Sequence, residues 1–150
     1  MTVLIYVESK GRGAMSSTAR ANKDKGYRWE KQGLDHLRET FPDIDPEEIQ
    51  RHGTLYGVND RGDITLIPMA FFFEMKNVQK FDLAQFMREL KRELEHNPHA
   101  SNGAVIIKAR FKSVGEAYSV MPFDQLLKLV RENYDLKRLL QEERRMRKAG

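Results

Sequence analysis

The sequence predicts an α/β chain of the mixed α+β kind, with one central five-stranded mixed sheet flanked by helices. Three observations carry this. Apolar residues recur at helical spacing in three separated stretches. Five short runs rich in β-branched and aromatic residues lie between them, in the order helix, three strands, helix, two strands, helix. The chain has 150 residues, 40% hydrophobic and 32% charged, which is enough for one domain with a real core and is unlike a disordered composition. Strands interleaved with helices bury both sheet faces by laying helices against them.

The opening stretch MTVLIYV either supplies a short strand over Val3–Val7 or precedes a start at Met15. It has no basic flank before it and no clear cleavage site, so it is not read as a signal peptide. Residues 8–25 are rich in Gly, Ser, Lys and Arg and are predicted to form a mobile basic segment, which makes 1–24 an N-terminal arm. A first helix is predicted from Lys25 to Phe41, ended by Pro42. Glu30, Leu34, Leu37 and Phe41 share one face, so Glu30 lies on the apolar stripe. PDIDPEE is a turn, residues 49–56 are a strand weakened by Gly53, and GVNDRG is a loop. DITLI and AFFFEMK are strands joined around Pro68–Met69.

A second helix is predicted over Asp82–His96, with Leu83, Phe86, Met87, Leu90 and Leu94 as its core stripe, broken by HNPHASNG. AVIIKAR and EAYSVM are the last two strands. A final helix begins after Pro122, carries Leu126, Leu127 and Val130, and is predicted to break near Asn133. The main domain is thus 25–133, and 134–150 is a basic helix or tail, with six basic and two acidic residues between Lys137 and Lys148.

The candidate chemistry sits on the central hairpin. Side chains alternate along a strand, so Glu74 and Lys76 point to one face while Phe71, Phe73 and Met75 point to the other. If DITLI and AFFFEMK form an antiparallel hairpin centred between Pro68 and Met69, Asp63 falls opposite Glu74. Paired residues share a face, with Cβ atoms roughly 4.5–5.5 Å apart. Two such carboxylates repel unless a cation or proton sits between them. A hard divalent cation takes oxygen ligands, and Asp63, Glu74 and the backbone carbonyl of Met75 are the predicted donors. Glu30, on the inward helix face, is placed to approach that metal directly or through water. Lys76 is placed to orient an attacking water or to stabilise a charged transition state. The bland alternative is an exposed polar strand face carrying Glu74 and Lys76, with Asp63 ending a turn.

The remaining composition excludes other classes. The absence of cysteine removes disulfides, thiolate zinc sites and thiol nucleophiles, and agrees with a cytoplasmic protein. No apolar run approaches the ~20 residues of a membrane helix. The four histidines share no close metal-ligand spacing. There is no GxxxxGK[ST] or GxSxG motif. The formal charge of +4 fits a polyanionic partner without requiring one.

Asp63, the run Glu74-Met75-Lys76, and Glu30 within GYRWEKQGLDHL together resemble the PD-(D/E)xK nuclease superfamily. There an acid on one strand precedes E-x-K on the next, and a glutamate lies on the preceding helix. Within that superfamily the chain is most similar to the Holliday-junction resolvases of archaeal and phage type, over roughly residues 24–131. Archaeal members carry a serine before the aspartate, whereas here the nearest hydroxyl is Thr54. The resemblance implies a restriction-endonuclease-like fold, Mg²⁺ with Mn²⁺ as substitute, and a homodimer. It also implies paired nicks leaving 5′-phosphates in branched double-stranded DNA such as a four-way junction. It implies a role in DNA recombination and repair, in the host cytoplasm if phage-encoded.

Rival expectations are a flap, single-strand or restriction-type nuclease, or a DNA-binding module without catalysis. Arg51, His52 and Arg61 lead towards Asp63, and Lys23, Lys25, Arg28 and Lys80 flank the same region. Each is a candidate phosphate contact or an ordinary solvated charge. Asn77 reads equally as a phosphate ligand or a strand end. Gln85 is either an auxiliary site residue or the returning arm of a capping box with Asp82. Trp29 reads as packing.

Overall fold

In the computed structural model, residues 16–52 and 63–149 are described. The elements are α1 (Ser17–Thr40), β1 (Ile49–His52), β2 (Asp63–Leu66), β3 (Phe71–Lys76), α2 (Leu83–His96), β4 (Asn102–Ile107), β5 (Tyr118–Val120) and α3 (Phe123–Ala149). The strands form one sheet in the order β1-β2-β3-β4-β5. Neighbouring strands are antiparallel except β3 and β4, which are parallel and joined through α2. A parallel pair needs such a crossover, and α2 supplies it. The fold is a mixed α+β sheet flanked by helices, with the element order expected from sequence.

Each face of the sheet has its own core. On one face Ile49, Ile64 and Leu66 are buried with Leu34, Leu37 and Phe41 of α1, and with Phe73 and Met75. On the other, Phe72, Val105 and Ile107 pack against Phe86 and Leu90 of α2. Strand alternation produces this division: odd-numbered residues of β3 meet α1 and even-numbered ones meet α2. Gly103 is needed for the second contact. A Cβ there would stand 2.8 Å from the Phe72 carbonyl oxygen and 2.9 Å from Leu90.

Two helix boundaries differ from expectation. Residues 17–24, expected in the arm, are the first turns of α1, which Ser16 caps by accepting a hydrogen bond from the Ala19 N–H. A good N-cap followed by Ala, Arg and Lys outweighs the loop-like composition. Asn133 does not interrupt α3, which runs unbroken through the tail; the modest helix penalty of one asparagine is too small to end a helix. The expected strand at Val3–Val7 and the end of the 49–56 strand lie outside the described residues. Among the described residues, no helix is long and apolar enough to cross a membrane.

Candidate active site

The β2–β3 hairpin turns through a short 3-10 segment, Ile67–Met69, and left-handed Ala70 (φ 48°). Its register pairs Asp63 with Glu74, as the hairpin arithmetic required. On the far side β3 pairs with β4, where Glu74 meets Val105. Val105 belongs to the α2 core, so Glu74 and Lys76 face α2.

There they meet an acid that the sequence reading missed. Glu74 is 1% exposed and Glu89 of α2 is 9% exposed. The Lys76 ammonium lies between them, 2.5 Å from Glu74 Oε1 and 2.6 Å from Glu89 Oε2. Gln85 Nε2 donates to Glu89 Oε1 at 3.1 Å. One half of the Asp82–Gln85 capping box exists, since Asp82 accepts from the Gln85 N–H. The other half does not, because the Gln85 side chain turns along the helix to Glu89. Glu89 was findable: it lies three positions after Phe86, next to Leu90, within the buried face of α2.

The contacts are unequal. The Lys76–Glu89 contact is a directed hydrogen bond. The Lys76–Glu74 contact is a close ion pair without hydrogen-bond directionality. Neither carboxylate oxygen of Glu74 has a hydrogen-bond partner among the described residues. Burial works to lower the Lys76 pKa, but the close negative charge of Glu74, then the hydrogen bond and charge of Glu89, outweigh it, and the pKa is raised above 10.5. Lys76 is therefore a fixed cation at neutral pH, suited to stabilising negative charge and not to taking up a proton.

The same face extends to His52, which pairs with Asp63. His52 Nε2 lies 2.8 Å from Thr65 Oγ1, and Asn97 Nδ2 donates to that hydroxyl at 2.9 Å. Burial first, then the neighbouring His99, holds the His52 pKa below 6.5 against an opposing pull from Glu93. The imidazole is mostly neutral at pH 7, which suits it less to binding phosphate as a cation.

Glu30 is buried, at 6% exposure, as its place on the apolar stripe required. It is not in the group around Lys76. Its carboxylate accepts two hydrogen bonds from Arg51, at 2.6 and 2.9 Å. Arg51 pairs with Ile64, so both it and Glu30 lie on the α1 face, across the sheet from Glu74. A helical stripe points inward but does not say which side of the sheet is inward for that helix. Arg51 also stacks over the Tyr27 ring at 4.5 Å, so two contacts already hold the guanidinium expected to reach DNA.

Lys23, Lys25, Arg28 and Lys80 are exposed. Asn77 donates to the Lys25 carbonyl at 3.3 Å, tying the end of β3 to α1. The Met75 side chain packs on the α1 face. Trp29 is buried, as read from sequence, and its indole N–H points to the Ile106 carbonyl. Thr54, Arg61 and the Asp63 side chain lie outside the described residues. Among the described residues, no group of three or more His, Cys, Asp or Glu is arranged to hold a metal.

Another feature escaped the sequence reading. Lys108 N–H bonds the Lys76 carbonyl, so the turn after β4 lies at the Lys76 end of the sheet. That turn carries Phe111, fully exposed with φ 58°, between Arg110 and Lys112. No family model, curated protein or solved structure matches the chain.

Proposed function

We propose that this chain is a metal-dependent endonuclease of the PD-(D/E)xK type that cleaves branched double-stranded DNA, with a four-way junction as its preferred substrate. One observation carries the reading: a fully buried glutamate, without hydrogen-bond partners among the described residues, stands in register with Asp63 and beside a lysine held as a cation. A buried carboxylate oxygen without a partner is costly. The donor chemistry of Glu74, with the aspartate at the paired position, fits a hard divalent cation such as Mg²⁺ or Mn²⁺. Such a cation supplies Lewis acidity, making water a better nucleophile and offsetting phosphate charge. The chain's own contribution is positional. Glu74 and Asp63 hold the cation, Lys76 presents its charge to the scissile phosphate, and Glu89 with Gln85 fixes the direction of the ammonium.

Glu30 has no part in metal binding in this proposal. Exposed Lys23, Lys25, Arg28 and Lys80 are its phosphate contacts. Phe111, between Arg110 and Lys112, presents an apolar face for unstacked bases, which branched DNA offers more readily than duplex.

The experiment offers purified protein a labelled synthetic four-way junction, a flap, single-stranded DNA and linear duplex, each with Mg²⁺ and with EDTA. Paired nicks in the junction, lost in EDTA and in Glu74→Gln of unchanged thermal stability, are expected. Undiminished cleavage by Glu74→Gln would overturn the reading.

A further inference from the structure

The last helix buries nothing: no residue of α3 is buried. It is fastened at its first turn, where Gln125 accepts from the Gly103 N–H at 3.1 Å and donates to the Gly103 carbonyl at 2.7 Å. Beyond that turn Leu126, Leu136, Leu139 and Leu140 are exposed. Its 27 residues span about 40 Å. A helix that long, with leucines in water and little contact with its own domain, calls for a partner.

The spacing identifies the partner. Leu126, Leu129, Asn133, Leu136 and Leu140 follow one another at alternating intervals of three and four, the a and d positions of a heptad seam. Away from the seam, where Leu127 and Tyr134 are also exposed, charged residues pair along the helix. Arg131 pairs with Asp135 at 3.1 Å and Arg138 with Glu142 at 3.6 Å, at the f and c positions.

Beside the seam, Glu132 at g and Lys137 at e make no ion pair among the described residues. In a parallel pair, g of one helix meets the following e of the other. Glu132 therefore meets Lys137 of a second copy, twice by symmetry. An antiparallel pair sets g against g and e against e, so like charges meet. Asn133 occupies a central a position. A single buried asparagine there favours pairing with its own counterpart and fixes register and strand number at some loss of stability.

We infer that α3 forms a parallel, in-register, two-stranded coiled coil with a second copy of this chain. The inference rests on α3 alone and holds whether or not the protein cuts DNA. Such an interface is isologous and relates the two domains by a twofold axis.

The test is solution mass by sedimentation on the full chain at tens of micromolar, with helix content followed by circular dichroism. A dimer is expected. Glu132→Lys and Lys137→Glu should each weaken it by at least tenfold while keeping the helix, and an equimolar mixture of the two should recover it as a heterodimer. Leu140→Cys, in a chain with no other cysteine, should link the two copies on oxidation. In a parallel pair residue 140 meets itself; in an antiparallel pair centred on Asn133 the two would lie roughly 20 Å apart. A monomer throughout, a dimer indifferent to both charge swaps, a mixture that fails to associate, or no crosslink would each overturn the inference.

Discussion

Two buried glutamates lie on opposite faces of the same sheet, and their surroundings differ in one respect. Glu30, on the α1 face, accepts two directed hydrogen bonds from the Arg51 guanidinium. Glu74, on the α2 face, shares a single ammonium with Glu89, and its oxygens lack directed partners among the described residues. The Glu30–Arg51 pair ties α1 to β1 through directed hydrogen bonds. Around Lys76 two buried carboxylates converge on one ammonium, with Asp63 at the position paired with Glu74. Burial of an acid therefore does not mark a site by itself. Burial combined with a shared cation and no directed hydrogen bond does, because such an arrangement leaves free energy to be gained from a second cation.

The comparison breaks most sharply on substitution of the acids. Glu74→Gln should lower junction cleavage roughly a thousandfold, the loss of several kcal/mol of transition-state stabilisation. Its melting temperature should stay level or rise, since one of the two buried carboxylates that share the Lys76 ammonium is neutralised and Lys76 keeps Glu89. Glu30→Gln should do the reverse. It leaves Arg51 without its carboxylate, lowers stability by about 1–3 kcal/mol in denaturant titration, and spares kcat of the folded fraction. If the two variants behave alike, the distinction between the faces fails.

Lys76→Met should come next. It leaves Glu74 and Glu89 facing each other and costs about 3 kcal/mol at pH 7. The deficit should shrink at acidic pH, where the repulsion between the two acids is relieved, and a deficit constant with pH would count against the geometry. Wild type has its own pH signature. The folded pKa of Lys76 is raised, so its stabilisation is complete below 10.5 and is lost as pH rises through the higher folded value. Alkaline melts should show that loss in wild type and not in Lys76→Met. The folded pKa of His52 is lowered, so its contribution is present above 6.5 and is lost as pH falls. Acid melts of His52→Gln should lack that step.

Smaller effects sharpen the picture. Glu89→Gln should reduce kcat about tenfold to a hundredfold with KM nearly unchanged, and should lower the Lys76 pKa measured by NMR. An unmoved pKa would remove Glu89 as a positioning residue. Phe111→Ala should weaken junction binding by about 1–3 kcal/mol and leave duplex binding alone. Equal loss on both substrates would assign the ring no role in branched DNA.

Sequence periodicity alone determined the order of all eight helices and strands described, and the Asp63–Glu74 register, because both follow from strict backbone repeats and from a hairpin whose centre Pro68–Met69 marks. Sequence also placed Glu30 inside, since its spacing put it on a packed face, and read Trp29 as packing. What it could not supply is which buried groups meet. Glu89, thirteen positions further along the chain, reaches Lys76 through the β3–α2–β4 crossover. Glu30 and Glu74 are separated by the thickness of a sheet that no one-dimensional pattern records. Alternation tells that a side chain is inside; only the packing of helices on two faces decides with whom, because the side chain that answers a buried charge is chosen by distance in space.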